Sequence, residues 1–381
     1  MKKIFALLLA GLLTLSMVSC GDKKEDKEND KETNAVEQNY IDETANKGQF
    51  EYALNEEGDY EIVKYEPYSV SVADITLPSE VNGRDIVGIA ANAFKAENSI
   101  KSVTLPATYK YVSDYAFYDC DSLVSVSLPA TLEEIGKGAF ESCDVLSVFN
   151  MPASVKEISE FAFKDCKAIK SLDLSNVTAI KKGAFLNCSA LESITVSDKL
   201  EYATKEAFYG CDALVYTEED ELLYLGNEAN KTVLLVSPKS LNVIECAVSA
   251  TTKVIADAAF NNCEYLSKIT LSDAIKVING TSFVGCSELS YNKSENGLYL
   301  GTVANPCMVL IELDITSVED FKLNKDTKII AETAFAKCVA LEDISFEGTE
   351  AEWNAIIKSA AWNGDLTVNV TCSDKVITVL G

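Results

Sequence analysis

Apolar and polar positions repeat along most of the chain with a period in the low twenties. A phenylalanine returns in steps of 23, 23, 23, 22, 23, 52, 23 and 52 residues, at positions 94, 117, 140, 163, 185, 208, 260, 283 and 335. A fixed period of this length is typical of a solenoid, in which each coil buries its apolar face against the neighbouring coils. The pattern therefore predicts one elongated repeat domain.

A single unit shows how a coil is built. The segment 123–129 alternates apolar and polar residues and ends in proline, which predicts a strand that stops there. After a turn, apolar residues spaced by three or four predict a short helical turn. The side chains expected to face the core are Leu123, Val126, Leu128, Leu132, Ile135, Phe140 and Cys143. We therefore predict a mixed β/α repeat solenoid with a parallel β-sheet on one face.

The two long steps contain related insertions. Each is one ordinary step lengthened by an inserted segment, and Tyr224-Leu225-Gly226 in the first returns as Tyr299-Leu300-Gly301 in the second. A unit made of one insertion and its neighbouring coils has therefore been duplicated. Each insertion predicts a hairpin within an irregular coil that lacks the phenylalanine turn. The hairpins are 222–236 and 298–312, and the irregular coils are about 217–247 and 292–322.

The first 47 residues differ from the repeats. Residues 1–20 begin with two lysines, continue as an apolar run too short to span a membrane, and end in Ser19-Cys20. This ending resembles a bacterial lipoprotein leader, which implies that Cys20 is the lipidated first residue of the mature protein. Plain secretion with an incidental cysteine is the alternative. Residues 21–47 are charged with little apolar content, which predicts a disordered tether.

The ends of the repeat region are predicted to carry caps. Alternating residues in 48–76 around a turn at Gly58 predict a β-hairpin before the first coil. Trp353 and Trp362 occur only where the repeats stop, and 368–372 is predicted to be the last strand. The predicted domains are the leader 1–20, the tether 21–47, the hairpin cap and entry 48–88, the solenoid 89–345 and the C-terminal cap 346–381.

The repeat unit is similar to the BspA-like leucine-rich repeats of bacterial surface proteins. The residues that carry this resemblance are Leu123-Val124-Ser125-Val126-Ser127-Leu128-Pro129, Ile135-Gly136 and Ala139-Phe140-Glu141-Ser142-Cys143. The first coil departs from the pattern, with Glu97 where cysteine is expected. The resemblance implies a right-handed leucine-rich-repeat coil and a cell-surface protein, in some members an adhesin for host matrix proteins. It carries over no catalytic residue.

Composition excludes several classes of function. The formal net charge is −26, and loss of Lys2 and Lys3 with the leader makes it −28, so nucleic acid and anionic membranes should repel the protein. The chain has no histidine, which removes Ser-His-Asp and Cys-His catalysis and the commonest metal ligand. We therefore predict no enzyme activity, no cofactor and no metal.

The cysteines repeat together with the phenylalanines. Eight of the twelve lie three residues after a repeat phenylalanine, at 120, 143, 166, 188, 211, 263, 286 and 338. Neighbouring coils would bring them close enough for disulfides, but their grouping in runs of five, two and one would leave at least two unpaired. We therefore expect buried free thiols at one structural position. Cys246 aligns with Phe321 in the duplicated unit and is expected in the core too.

Two surfaces are candidates for binding. Small polar residues at outward strand positions predict a long shallow ligand face, although such residues also suit any solvated β-surface. These residues are Ser102, Thr104, Ser125, Ser127, Ser171, Asp173, Ser193 and Thr195, continued by Lys268 and Thr270. The alternative patch is Tyr111, Tyr115 and Tyr118, at positions that should face outward. Packing against the N-terminal cap would equally explain these tyrosines.

Together these features predict a non-catalytic surface lipoprotein whose solenoid binds a protein or glycan. A purely structural envelope protein is the alternative, and a glycan-processing enzyme is the weakest, because its two carboxylates would need to face each other across a cleft. The protein is expected to be a monomer at the outer face of a bacterial envelope. It would contact the membrane through the lipid on Cys20 only and would bind no nucleic acid.

Overall fold

The chain forms a β-solenoid of about 13 turns with parallel sheets, which confirms the predicted repeat fold. A computed structural model describes residues 37–38, 48–68, 73–279, 281–315, 317–332, 334–358, 362–363 and 366–380. The leader 1–20, with Cys20, lies outside the described residues, as does most of the tether 21–47.

Nearly all regular structure among the described residues is strand. The first strands are β1 (Glu37–Gln38), β2 (Gly48–Leu54), β3 (Tyr60–Pro67), β4 (Ala73–Thr76), β5 (Glu80–Val81) and β6 (Arg84–Ile89). The regular coils contain β7 (Ile100–Thr104), β8 (Tyr111–Val112), β9 (Ser125–Ser127), β10 (Glu134–Ile135), β11 (Val148–Phe149), β12 (Glu157–Ile158), β13 (Ser171–Asp173), β14 (Ala179–Ile180), β15 (Ser193–Thr195), β16 (Tyr202–Ala203) and a 3-10 helix, Lys205–Phe208.

The duplicated unit and the C-terminal segment complete the order. The first copy contains β17 (Thr217–Glu219), β18 (Leu222–Leu225), β19 (Leu234–Pro238), β20 (Glu245–Ala247), β21 (Val254–Ile255), β22 (Lys268–Thr270) and β23 (Val277–Ile278). The second copy contains β24 (Asn292–Ser294), β25 (Gly297–Leu300), β26 (Val309–Leu313), β27 (Asp320–Leu323), β28 (Ile329–Ile330) and β29 (Asp343–Phe346). The end of the chain contains α1 (Glu350–Ala355), β30 (Ile357–Lys358), β31 (Val368–Thr371) and β32 (Val376–Val379).

Two ladders of parallel strands run along the solenoid. The long-strand ladder consists of β4–β7–β9–β11 and continues as β13–β15, β20–β22 and β27–β29–β31. The short-strand ladder consists of β6–β8–β10, β12–β14–β16, β19–β21–β23 and β26–β28–β30. Alternate side chains of both ladders point into the core, as the period-two pattern predicts.

The repeat phenylalanines stack through the core, and we call this array the phenylalanine stack. Neighbouring ring centroids from Phe94 through Phe208 lie 4.8, 5.4, 5.6, 5.7 and 6.3 Å apart, with interplanar angles between 4° and 19°. Phe260 and Phe283 stack in the same way at 5.4 Å. The stack is interrupted after Phe208 and after Phe283, where the sequence contains its two insertions.

The turn at Phe140 is not a helix, so the short helical turn predicted there is wrong, whereas Phe208 ends the 3-10 helix Lys205–Phe208. The N–H of Phe140 donates to the carbonyl of Ala162 in the next coil at 2.9 Å, and the N–H of Phe117 donates to Ala139 at 2.8 Å. A main-chain N–H committed to the next coil cannot close a helical turn within its own coil. Ser142, two residues after Phe140, also has a positive φ of 62°, outside the helical region.

The cysteines of the repeats are buried free thiols that also act as donors. Cys166 Sγ lies 3.1 Å from the carbonyl oxygen of Phe140, the phenylalanine of the preceding coil. The same contact, at 3.0–3.2 Å, links Cys120, Cys143, Cys188, Cys211 and Cys286 to the phenylalanine one coil earlier. Burial of these positions and of Cys246 confirms the prediction, and the thiol–carbonyl contact was not predicted.

The predicted N-terminal hairpin is confirmed as the antiparallel pair β2–β3. β3 also pairs in parallel with β6, so the hairpin extends the short-strand ladder by one strand. The Tyr65 ring stacks on Phe94 at 5.3 Å, and Phe50 meets the same ring edge-on at 6.4 Å. The hairpin therefore places aromatic rings directly against the first member of the phenylalanine stack. β1, within the segment predicted as tether, pairs with β2.

Both predicted insertion hairpins are confirmed, as β18–β19 and β25–β26. Each has an irregular register at the same place, before Tyr224 in one and before Tyr299 in the other, and these two tyrosines are equivalent in the duplicated unit. The duplication in sequence is therefore a duplication in structure.

The C-terminal segment packs both tryptophans into the core. Trp353 lies on α1, whose N-terminus carries a reciprocal capping box between Thr349 and Glu352. The Trp362 ring meets Trp353 at 5.7 Å and Phe335 at 5.6 Å, both edge-on. β31 confirms the strand predicted at 368–372, but it is not the last one, because β32 follows as its antiparallel partner. Among the described helices, none is long and apolar enough to cross a membrane.

The reactivity of the thiols tests whether the repeat cysteines are buried and free. Burial raises the pKa of Cys211 and of Cys246 to about 12 and that of Cys286 to about 11, so these thiols should be unreactive at neutral pH. We expect native alkylation at half-buried Cys307 and modification of the repeat cysteines only after unfolding, read by peptide mass spectrometry. Fast native alkylation of Cys143 or Cys166, or disulfides linking them, would contradict this arrangement.

Candidate functional site

The predicted ligand face lies on the long-strand ladder in two columns of outward side chains. In the first column Asp74, Ser102, Ser125 and Val148 are aligned, and in the second column Thr76, Thr104 and Ser127 are aligned. A separate pair of strands aligns Ser171 with Ser193 and Asp173 with Thr195. All eight predicted residues are exposed or half-buried on the long-strand ladder.

The face is less uniform than the sequence predicts. Val148, 56% exposed, stands beside Ser125 in the first column and makes an apolar spot in a hydroxyl surface. Ser102 Oγ donates to Asp74 at 2.7 Å, and Asp173 accepts the main-chain N–H of Ser175 at 2.9 Å. These contacts satisfy part of the polar surface internally, and the remaining hydroxyls face solvent.

The first insertion interrupts this face. After Thr195 the next position in the ladder is taken by Gly226, which forms an isolated parallel bridge with Thr195. The columns resume only at β20 and β22, where Lys268 aligns with Glu245 and Thr270 with Ala247. Lys268 and Thr270 therefore belong to a second section of the long-strand face.

Tyr111, from the alternative patch, is part of the contact with the N-terminal hairpin. Its hydroxyl donates to Glu61 at 3.0 Å and accepts from the Asn55 amide at 3.1 Å. Its ring occupies the space over Gly88, where any added Cβ would lie 2.1 Å from ring atoms. Burial raises the pKa of Tyr111 and that of Glu61, while the hydrogen bond from Tyr111 lowers the pKa of Glu61.

Tyr115 and Tyr118 are half-buried and form an edge-on pair at 5.9 Å. Tyr115 has a positive φ of 57° and lays its ring over Gly138 of the next coil, which has no Cβ to obstruct it. Lys95 stands 5.0 Å from the centre of the Tyr118 ring, at cation–π distance. Tyr111 therefore packs against the N-terminal cap, as that explanation expects, whereas Tyr115 and Tyr118 contact neighbouring coils instead.

A groove on the short-strand side was not predicted. It has a volume of about 590 Å³ and joins residues that are far apart in sequence. One wall comes from Glu157, Ala179 and Tyr202, and the other from Val277 and from Ile357 with its neighbours. The solenoid therefore bends so that its middle and its end share one concave surface.

The first insertion changes how the neighbouring coils meet. On the short-strand side, Asp257 N–H donates to the Ala203 carbonyl at 2.7 Å, so the coils before and after the first insertion touch directly. On the long-strand side, residues of the insertion separate the same coils: Val196 N–H donates to Gly226, and Ala247 N–H donates to Asp220. The insertion also contributes to the short-strand side, because its strand β19 pairs in parallel with β21.

Lys358 is the most perturbed cation in this groove. Burial lowers the pKa of its ammonium to about 8, and Nζ donates to the carbonyls of Trp353 at 2.6 Å and Ile356 at 2.9 Å. The same ammonium lies 4.5 Å from the Trp353 ring centre. These contacts hold Lys358 against the C-terminal helix. In the sequence, only the duplicated insertion marks an irregularity in the solenoid, and it does not show in which direction the solenoid bends.

The comparisons with known proteins identify the family. The family profile described as BspA type leucine-rich repeat region matches six copies over residues 87–215, 238–306 and 312–378. The chain belongs to this family of leucine-rich repeat proteins. A comparison with curated proteins found no match.

Solved structures of bacterial leucine-rich repeat proteins are similar to this chain. A leucine-rich cell surface protein from Faecalibacterium prausnitzii is 21% identical over 85% of this chain and 98% of its own, with a TM-score of 0.40. A leucine-rich repeat protein from Bacteroides ovatus is 18% identical over 84% and 71%, with a TM-score of 0.41. The pneumococcal vaccine antigen PcpA is 15% identical over 86% and 97%, with a TM-score of 0.35.

A tyrosine substitution tests whether the patch holds the hairpin in place. Tyr111→Phe keeps the ring over Gly88 but removes the hydrogen bond to Glu61. We expect the free energy of unfolding in urea to fall by about 1 kcal/mol and the pKa of Glu61, followed by NMR, to rise further. Tyr118→Phe is the control, because the contacts of Tyr118 with Tyr115 and Lys95 use its ring. Equal stability of Tyr111→Phe and wild type would refute this role.

Proposed function

We propose that this chain is a non-catalytic, lipid-anchored surface protein whose solenoid binds a protein or a glycan along the long-strand face. The observation that carries the proposal is the alignment of small exposed or half-buried hydroxyl residues across successive parallel strands, such as Ser102 with Ser125 and Thr104 with Ser127. Membership of the BspA-type family and the likeness to a leucine-rich cell surface protein support it.

The chemistry of this face suits an extended partner. Small side chains let a partner's main chain or sugar rings approach the sheet closely. Their hydroxyls donate and accept hydrogen bonds at the spacing of neighbouring strands, about 4.8 Å. Exposed Val148 adds one apolar contact among them. Because no single charge dominates the face, binding should depend only modestly on salt.

Four lysines on the face provide the main test. A screen of the soluble protein against matrix proteins and glycans supplies the ligand. Ser125, Ser127, Ser171 and Ser193 are then replaced together by lysine, which adds bulk and charge without touching the core. We expect binding to be lost while the melting temperature is unchanged.

The matched control places four lysines elsewhere on the surface. Ser189, Ser240, Ser287 and Ala336 are exposed and lie outside the two columns, so lysine there adds the same charge. This control should bind like wild type. Normal binding by the face variant would refute the long-strand site. A screen without any ligand would favour a purely structural envelope protein, and sugar release in the same screen would favour an enzyme.

Anchoring through Cys20 is a separate part of the proposal. It rests on the leader ending in Ser19-Cys20, ahead of the charged segment 21–47. We expect wild-type protein made in bacteria to incorporate a labelled fatty acid and to partition into detergent, and Cys20→Ala to do neither. Equal labelling of the two proteins would show that the acyl chain, if any, is attached elsewhere.

A further inference from the structure

The second insertion leaves a cavity at the edge of the core that is open to solvent. Beyond Phe283 the space between neighbouring phenylalanine turns is a cavity of about 300 Å³, and the buried core divides into two clusters in this region. Its apolar lining is Ile278, Phe283, Cys286, Tyr291, Ile311 and Ala331. Glu312 and Lys337 also line it and form an ion pair at 3.2 Å, in which the Lys337 side chain is 73% exposed.

The first insertion shows what can fill such a space. There Lys205 lies half-buried between the turns of Phe208 and Phe260. Its main-chain N–H donates to Asp257 at 2.9 Å, and Nζ reaches the Ala259 carbonyl at 3.5 Å. Burial lowers the pKa of Lys205, and the thiol of Cys263 interacts with its ammonium electrostatically. A half-buried lysine side chain therefore lies between these turns, with its ammonium near the Ala259 carbonyl.

The second copy keeps these partners but lacks the lysine. Ala259 and Cys263 of the first copy correspond to Ala334 and Cys338 of the second, both buried. The sequence position of Lys205 is taken by Gly280, which lies outside the described residues. Ser237 of the first copy is replaced by Glu312, whose carboxylate interacts electrostatically with Cys338 and Tyr291. Asn262 of the first copy is likewise replaced by Lys337, so the second copy has lost the internal lysine and gained the Glu312–Lys337 ion pair.

We propose that this cavity is a binding site for a lysine side chain of a partner protein. The methylenes would pack against Phe283, Ile311 and Ala331. The ammonium would meet the carboxylate of Glu312 after the exposed Lys337 turns outward. A chain with a net charge of −26 attracts basic partners over distance. The site lies in the phenylalanine turns, away from the long-strand face, and does not depend on ligand binding there.

Model compounds test the site on the full chain. N-acetyl-L-lysine methylamide and n-butylammonium are titrated by NMR, with n-butanol as the neutral analogue. We expect one saturable site in wild type that prefers the two amines. Gly280→Lys should abolish it by restoring the side chain of the first copy. Glu312→Gln should raise the Kd at least about threefold, the effect of losing a partly exposed ion pair.

The first copy supplies the matched control. Lys205→Gly removes the internal lysine and should create a second site for the same amines, in a variant whose melting temperature shows that it folds. If this variant does not fold, the titrations of Gly280→Lys and Glu312→Gln test the proposal without it. Absence of saturable binding to wild type, equal binding of n-butanol, or unchanged binding by Gly280→Lys would each overturn the proposal.

Discussion

The phenylalanine stack is the constraint on which the rest of the structure depends. Coils held by parallel strands repeat at about 4.8 Å, and rings 4.8–6.3 Å apart fill the core at that spacing. Within the uninterrupted stretch each ring packs between two others, small residues such as Ala139 stand beside the rings, and main-chain N–H groups such as that of Phe140 bond to the next coil. The cysteines follow from the same geometry, since their thiols reach the carbonyls of the stacked phenylalanines.

Features suited to binding arise mainly where this stack is interrupted. The coils before and after the first insertion touch directly through Asp257 and Ala203, and the concave groove lies on this side of the solenoid. The first interruption is filled from within by Lys205, and the second is left as a cavity beside Glu312. The long-strand face is the exception, because it uses the regularity of the coils to align hydroxyls such as Ser102 and Ser125.

The sequence predicts what depends on periodicity. The buried phenylalanines, the strand carrying Ser125, and the two equivalent hairpins of the duplicated unit all follow from repeated spacing within the chain. The bend does not, because it depends on how the coils on either side of an insertion meet, as Asp257 and Ala203 do. The contact between Tyr111 and Glu61 joins residues 50 positions apart and has no periodic signal. The helical turn predicted at Phe140 failed because three-to-four spacing also fits a turn bonded to the next coil.

Replacing Phe163 by alanine tests the central claim, that the stacked rings hold the coils together. Phe163 is fully buried between Phe140 and Phe185. The account predicts that chemical denaturation shows a loss of about 3–5 kcal/mol in the free energy of unfolding. Hydrogen exchange should also show lost protection in the two neighbouring coils as well as in the mutated one. A loss below about 1 kcal/mol, with unchanged protection around Phe140 and Phe185, would contradict it.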